Sequence, residues 1–250
     1  MSSRILFTPD PTRMIGIVSQ VPEFQGDYFF LNAPESIGDA NQVVHVMNMV
    51  PSWSDLGNGV WRTDGHAPGE LDFVLTVTPG YDTLDVHLSL TNNSNRIWTN
   101  TLAFTCFNCG SANSLADHEC ARHWGRNAEQ FKRLTQMRRR FGPRPTIQAY
   151  SVEGATPATL LPFVNNFQAT PDLVLEPWLA IQTRGGNRLA GVVSNPGSFL
   201  FQNSEFSCIH SGPSFGVLNP GQTEQALTRV YLVRATLQDW YRRMKVEMGL

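Results

Sequence analysis

Residues 71–90 carry the pattern that most constrains the fold, because apolar and polar side chains alternate through two consecutive runs. Every second residue is apolar from 71 to 77, and the same holds from 84 to 90. Between the runs, residues 79–82 read Pro-Gly-Tyr-Asp, which is typical of a turn. Successive side chains of a strand point to opposite faces, so this pattern predicts an antiparallel hairpin with one buried face.

Similar short runs, separated by turn signals, recur along most of the chain. About a dozen short strands without interleaved helices are typical of two packed antiparallel sheets. The sequence therefore predicts an all-β fold, a large antiparallel β-sandwich (supersandwich). Large sandwiches reach the length of this chain, 250 residues, so we expect residues 1–250 to form a single domain.

Two segments depart from the strand pattern. In residues 126–140, apolar side chains recur at every third position with basic residues between them, which predicts a short basic helix inserted between strands. Residues 236–248 begin with Thr236 as a candidate N-cap and predict a C-terminal helix that packs onto the sandwich. The apolar positions of the inserted segment are Ala128, Phe131, Leu134 and Met137.

Composition and charge narrow the classes of partner. Apolar residues make up 41% and charged residues 16% of the chain, and its formal net charge is −2. A slightly acidic protein without a long apolar segment is not expected to bind nucleic acid or a membrane. The first residues lack the apolar stretch of a signal peptide, so we expect a cytoplasmic protein with cysteines that are thiols or metal ligands.

All four cysteines and three of the six histidines fall in two short stretches, 106–123 and 208–210. Thiolate and imidazole are ligands that zinc prefers, so one interpretation is a divalent metal such as zinc that ties the stretches together. The other is no cofactor, with Cys106 and Cys208 as small core residues. The candidate ligands are Cys106, Cys109, His118, Cys120 and Cys208.

The same stretches suggest acid–base chemistry, because histidine changes charge closest to neutral pH. His210, at the end of a predicted strand, is the candidate general base, and His123 or His118 is the candidate acid. Arg122 or Arg126 would bind an anionic group or stabilise oxyanion charge. Each histidine also has a purely structural interpretation as a hydrogen-bonded group. Further candidate substrate contacts are Trp124, Asn108 and Glu205.

Basic residues are concentrated between positions 122 and 144 of this slightly acidic chain. Arginine suits bidentate contact with carboxylate, sulfate or phosphate, so the concentration favours an anionic ligand. The alternative is a solvated surface, and no recognisable nucleic-acid-binding motif accompanies it. The residues are Arg122, Arg126, Lys132, Arg133, Arg138, Arg139, Arg140 and Arg144.

Two pieces of the chain carry motifs that are longer than a single strand. Residues 100–109 read Asn-Thr-Leu-Ala-Phe-Thr-Cys-Phe-Asn-Cys and follow an alternating strand. Residues 207–211 read Ser-Cys-Ile-His-Ser and precede a Leu-Asn-Pro-Gly turn and a last strand. Both motifs resemble those of the galactose mutarotase family. The resemblance extends over residues 70–110 and 198–234, and similar motifs occur in other large sugar-processing sandwiches, including some polysaccharide lyases.

The resemblance implies a large sandwich with a sugar-sized groove. Matched by position, the family's catalytic histidine acid falls on Phe104 and its glutamate base falls on His210. Phenylalanine cannot transfer a proton, so a plain aldose 1-epimerase is not expected. His210, in contrast, retains a titratable group where the family has its base.

We therefore expect a carbohydrate-active enzyme that acts on a sugar or sugar-acid derivative by histidine-mediated proton transfer, as an epimerase, isomerase or β-eliminating lyase. A non-catalytic carbohydrate-binding domain and a protein with a structural Cys/His zinc site are the alternatives. The expected partner is a small carbohydrate or anionic sugar derivative, and a homo-oligomer is left open.

Overall fold

Two antiparallel sheets and one C-terminal helix make up the computed structural model, which describes residues 5–12, 15–19, 21–44, 46, 49–139, 145–155 and 172–250. The described part of the chain contains no helix with the length and hydrophobicity of a membrane span. In chain order, the strands and the helix are β1 (Leu6–Pro9), β2 (Ile15–Ser19), β3 (Phe29–Asn32), β4 (Ile37–Gly38), β5 (Val43–Val44), β6 (Ser54–Gly57), β7 (Val60–Ala67), β8 (Leu71–Pro79), β9 (Thr83–Asn92), β10 (Trp98–Ala103), β11 (Thr105–Asn108), β12 (His123–Asn127), β13 (Gln130–Arg133), β14 (Ile147–Ser151), β15 (Trp178–Gln182), β16 (Leu189–Asn195), β17 (Gly197–Asn203), β18 (Cys208–Leu218), β19 (Thr223–Val233) and α1 (Leu237–Met248).

The strand order confirms the predicted sandwich. One sheet has the order β1-β2-β3-β11-β18-β10-β4-β5, and β17 joins it by pairing with β18, while β14 pairs with β17. The other has the order β13-β12-β15-β16-β19-β9-β8-β7-β6. We refer to them as the ten-stranded and the nine-stranded sheet. Strand β18 is central to the first, because β11 and β17 flank its first half and β10 pairs with its second half.

The predicted hairpin is confirmed as β8 and β9. Leu75 lies opposite Leu88 in the antiparallel ladder, and the apolar residue at every second position of both strands is buried. These side chains belong to the main core between the sheets, together with Phe107, Leu200 and Ile209 from the ten-stranded sheet.

A second apolar cluster lies on the opposite face of the ten-stranded sheet. Leu200 points into the main core, so its neighbours Phe199 and Phe201 point the other way, because side chains alternate along a strand. We call this face the outer face. Its buried apolar residues are Leu102, Phe104, Ile147, Ala149, Phe199 and Phe201.

The C-terminal helix is also confirmed. The Thr236 hydroxyl caps α1 by accepting a hydrogen bond from the backbone N–H of Asp239 at 3.2 Å, as the N-cap prediction requires. Trp240 is fully buried and meets Trp178 of the nine-stranded sheet edge to face, with ring centroids 5.2 Å apart. The helix therefore covers the outside of the nine-stranded sheet.

The predicted inserted helix is wrong over the residues that the structure describes, since β12 and β13 form a hairpin there. Ala128 and Glu129 have φ angles of 46° and 64°, and the pair Asn127 and Gln130 closes a two-residue turn around them. Such turns need positive φ at both central residues, which a helix excludes. Arg140 and Arg144 of the predicted basic stretch lie outside the described residues.

The apolar spacing that suggested a helix has another cause. Leu134 begins a single 3-10 turn, Leu134–Gln136, and it is buried together with Met137 just beyond that turn. Phe131 belongs to β13 and packs on the cluster around α1. A strand followed by one tight turn thus reproduces the three-residue spacing.

A hairpin and a helix predict opposite changes in the free energy of unfolding when Glu129 is replaced. Replacing Glu129 by glycine removes the cost of positive φ, so Glu129→Gly should raise the free energy of unfolding by about 0.5–1 kcal/mol. In a helix the same change would lower it by about 1 kcal/mol. Glu119→Gly, at an exposed loop residue without positive φ, is the control and should bring no gain. Urea unfolding measures both, and destabilisation by Glu129→Gly would contradict the hairpin.

Candidate functional site

A row of directly opposed residues crosses the ten-stranded sheet on its outer face. Asn32 of β3 lies opposite Cys106 of β11, which lies opposite His210 of β18, and His210 in turn lies opposite Phe201 of β17. Opposed residues of antiparallel strands project to the same face. Because Phe201 belongs to the outer cluster, the whole row lies on the outer face.

Two thiols and one imidazole meet in this row. The ligand atoms of Cys106, Cys208 and His210 all lie within 4.8 Å of one another. The three residues are 4%, 3% and 2% exposed, so water has almost no access to them. We call these three residues the Cys–His cluster. Within the described ranges, it is the one group of His, Cys and acidic residues with the spacing of a metal site.

The imidazole of His210 is held in a defined tautomer. Its Nδ1 lies 3.1 Å from the carbonyl oxygen of Phe201, and a carbonyl can only accept a hydrogen bond, so Nδ1 carries the proton. The Phe201 ring also packs on the imidazole, with centroids 3.8 Å apart. The lone pair of the neutral ring is therefore on Nε2.

Glu35 brings a carboxylate to this nitrogen. Its Oε2 lies 3.5 Å from Nε2 of His210, and its side chain is 33% exposed. The backbone N–H of Glu35 donates to the carbonyl of Phe104 at 3.0 Å, which fixes the segment against β10 and β11. Glu35 is thus the solvent-facing member of the group, and the sequence analysis missed it because nothing in its local sequence marks it.

The two thiols of the Cys–His cluster differ in acidity because they share a hydrogen bond. This bond, in which the Cys106 thiol donates, lowers the pKa of Cys208 against the opposing effect of burial, and the positive charge available to His210 acts in the same direction. The same bond and burial raise the pKa of Cys106. Cys208 is therefore the more acidic thiol of the pair, and thiolate is the form that binds metals.

The predicted five-ligand metal site is wrong in part. Cys109 lies in the main core, where burial raises its pKa, and burial raises the pKa of Cys120 to about 11. His118 is exposed on the surface. Of the predicted ligands, only Cys106 and Cys208 meet, and their partner is His210, because these are the cysteines and the histidine that share the outer face of β11 and β18.

The three histidines proposed for acid–base chemistry do not converge. His123 lies on β12 in the nine-stranded sheet, fully buried, and its Nδ1 is 3.0 Å from Oδ2 of Asp117. Nδ1 of His118 lies 2.8 Å from the carbonyl oxygen of Ser204. Neither ring is part of the Cys–His cluster, and a role for either as the acid partner of His210 stays a prediction.

The two arginines that were predicted to bind an anionic group, Arg122 and Arg126, form hydrogen bonds within the protein. The Arg122 guanidinium donates to the carbonyl oxygen of Gln182 at 2.7 Å and to carbonyls of the 114–116 loop, so it clamps that loop to β15. Arg126 donates to Glu176 at 3.0 Å and to the Tyr241 hydroxyl at 2.6 Å, which ties β12 to α1. Neither guanidinium is directed towards the Cys–His cluster.

The remaining three predicted substrate contacts lie in different elements of the fold. Trp124 is half-buried beneath the guanidinium of Arg133, which lies 5.2 Å from its ring centroid. Asn108, at the end of β11, accepts a hydrogen bond from the backbone N–H of Gly110 at 2.8 Å. Glu205 is exposed in the turn between β17 and β18. A binding role for these three residues stays a prediction.

Comparison with solved structures returns proteins of the galactose mutarotase type. A galactose mutarotase related enzyme from Lactobacillus acidophilus is 12% identical over 93% of this chain and 99% of that chain, with a TM-score of 0.46. A galactose mutarotase-like protein from Lactobacillus casei is 12% identical over 92% and 100%, with a TM-score of 0.48. No protein-family model and no curated protein sequence matches the chain.

The α-N-acetylgalactosaminidase of Bifidobacterium bifidum has a TM-score of 0.52 at 11% identity. The match covers 97% of this chain and 37% of that chain. At such identities the likeness concerns the fold alone, and it agrees with the large sandwich seen here.

The pair of Asp117 and His123 makes the stability of the protein depend on pH. Burial lowers the pKa of His123, assisted by Arg122 and Arg139 and opposed by Asp117. The folded state therefore keeps the ring neutral where the unfolded chain, with a pKa of about 6.5, already binds a proton. The contribution of neutral His123 to the free energy of unfolding is fully present above this pH. It should decline as the pH falls through this value, by at most about 1.4 kcal/mol per pH unit.

Urea unfolding at several values between about pH 5 and pH 7.5 measures this effect. We expect a steeper loss of stability on acidification in the wild type than in His123→Gln, which has no such proton to bind. Parallel curves for the two proteins would contradict the assignment of a buried, neutral His123.

Proposed function

We propose that the protein is a carbohydrate-active enzyme that transfers a proton to or from a sugar or sugar-acid derivative on the outer face of the ten-stranded sheet. In this proposal Glu35 exchanges the proton with the substrate, and His210 is its buried partner. The observation that carries the proposal is the half-exposed carboxylate of Glu35 beside Nε2 of a histidine with a fixed tautomer.

The position of this pair adds support. The family resemblance matches the catalytic acid with Phe104 and the catalytic base with His210, and the two rings are neighbours, with centroids 6.4 Å apart. The backbone of Glu35 is bonded to Phe104. A carboxylate therefore stands beside both positions, although neither position keeps the residue type of the family.

The chemistry of the pair suits abstraction of a proton next to a carbonyl. A general base has to reach its proton directly, and Glu35 reaches solvent whereas His210, at 2% exposure, does not. The imidazole can hold the proton that the carboxylate takes up, because its Nε2 carries the lone pair. Epimerisation and β-elimination share this first step, so both reaction types belong to the proposal.

Sugar binding without catalysis is the second candidate function. The observation that favours it is Phe104, which occupies the acid's position and packs edge to face on Phe199, with centroids 4.9 Å apart. The phenyl ring of phenylalanine can neither donate nor accept a proton. In this case a sugar would bind on the outer face and leave unchanged.

Proton transfer predicts exchange with solvent, which can be measured without knowledge of the product. A panel of aldoses, ketoses and uronic acids is incubated with the protein in D₂O, and NMR follows the loss of carbon-bound protons. For a substrate found in this way, Glu35→Gln should slow exchange by about 10² to 10⁴-fold, because the amide accepts no proton. Glu224→Gln, at an exposed carboxylate of the nine-stranded sheet, is the matched control and should exchange at the wild-type rate.

The outcomes separate the two candidates. Saturable binding of a sugar without exchange by the wild type would favour the binding domain. Equal exchange by wild type and Glu35→Gln would refute the role of Glu35.

A further inference from the structure

We propose that the Cys–His cluster is a zinc site, in which Sγ of Cys106, Sγ of Cys208 and Nε2 of His210 bind one Zn²⁺ ion. Its fourth coordination position faces Glu35. Binding of the ion does not depend on the proposed function, whereas a part for it in turnover does. In the zinc-bound protein the metal uses the lone pair of Nε2, so His210 no longer holds the proton and Glu35 alone exchanges it with the substrate.

The donor set and its dimensions suit this ion. Zinc prefers thiolate and imidazole, with bonds of about 2.3 Å to sulfur and 2.0–2.1 Å to nitrogen. Tetrahedral angles then place the donor atoms about 3.3–3.8 Å apart. The three donor atoms of the cluster already lie within 4.8 Å of one another, so small side-chain rotations complete the site.

The surroundings orient the imidazole as a ligand. Histidines that bind metals usually donate their second ring N–H to a carboxylate or a backbone carbonyl, which fixes the ring. The Nδ1 of His210 has such a partner in the carbonyl of Phe201, and Nε2 is left with the lone pair. A strand carbonyl is a rigid partner, so the lone pair has a fixed direction.

The amide of the half-buried Asn32, beside the thiols, fits the same interpretation. Asn32 lies opposite Cys106, and its side chain hydrogen-bonds that thiol. Its Oδ1 is buried and has no hydrogen-bond partner among the described residues. Outer groups of this kind adjust the charge of metal-bound sulfur.

The strand register argues against a disulfide between the same cysteines. Cys106 is paired with His210 and Cys208 with Asn108, so the two cysteines are diagonal neighbours. Diagonal Cα atoms lie about 7–8 Å apart in antiparallel strands, whereas disulfides need about 4.4–6.8 Å. A metal ion spans the larger distance because it adds two bonds of its own.

Glu35 defines the fourth side of the site. Its Oε2 lies 3.5 Å from Nε2 of His210, but Glu35 is not part of the group whose ligand atoms all lie within 4.8 Å of one another, so the carboxylate faces the cluster without closing it. Three protein ligands and one open position are the arrangement of catalytic rather than structural zinc. Glu35 is then placed to accept a proton from a molecule in the fourth position.

Zinc content and thermal stability of the reduced 250-residue protein test the proposal. After incubation with Zn²⁺ and removal of free metal, mass spectrometry of the metal should find one zinc per chain, and zinc should raise the Tm. Cys106→Ala and Cys208→Ala should each lose the bound zinc and the Tm shift. Cys109→Ala and Cys120→Ala, which remove equally buried thiols outside the cluster, are the matched controls and should keep both.

Wild-type protein supplies a second test that does not depend on how the variants fold. Co²⁺ in place of zinc should give the charge-transfer absorption of cobalt–thiolate bonds, and added Zn²⁺ should abolish it. A wild type that binds no metal, cobalt without thiolate absorption, or equal zinc in all four variants would overturn the site.

The variant Glu35→Gln separates this inference from the proposed function. It should retain zinc, because Glu35 is not a ligand, and lose proton exchange. Zinc bound to a protein that exchanges no sugar proton would leave the metal site standing and refute the function.

Discussion

The register between β11 and β18 determines the chemistry of the outer face. Phe107 and Ile209 are opposed across these strands, and both are fully buried in the main core. Because side chains alternate, their burial turns Cys106, Cys208 and His210 outwards together. A slip by one residue would place the polar groups in the core and the apolar ones outside, so the hydrophobic effect holds the cluster in place.

The two histidines that are buried in the described part of the chain illustrate how the partner of a ring defines its role. His123 is paired with the carboxylate of Asp117 inside the protein, in a loop that Arg122 clamps, and this set of contacts is structural. His210 is paired with a neutral carbonyl, and its second nitrogen faces Glu35, which reaches solvent. Only the second arrangement leaves a nitrogen directed towards groups that can exchange ligands or protons.

Local patterns account for what the sequence analysis predicted correctly. The alternation in β8 and β9 and the capped amphipathic pattern of α1 are each complete within one short segment. The helix predicted for 126–140 failed because three-residue spacing does not distinguish a helix from a hairpin followed by one tight turn. Ala128 and Glu129 are not typical of positive φ, so no local signal marked the turn.

The site was predictable only in outline. The two stretches rich in cysteine and histidine do meet. Which cysteines take part in the cluster depends on the face of the strand to which each side chain points, and that face is defined by the pairing of β11 with β18. This pairing brings Cys106 and Cys208 together and leaves out Cys109 and Cys120. Glu35 reaches the cluster from a segment distant in sequence, held by its bond to Phe104. Contacts between residues that are distant in sequence cannot be predicted from residue spacing or composition.

The central claim is that two particular thiols and one particular imidazole converge on a single point. X-ray absorption spectroscopy of the zinc-loaded protein reads the donor atoms directly. The account predicts two sulfur neighbours at about 2.3 Å and imidazole nitrogen at about 2.0–2.1 Å. A shell of four sulfurs, or one of nitrogen and oxygen alone, would contradict it.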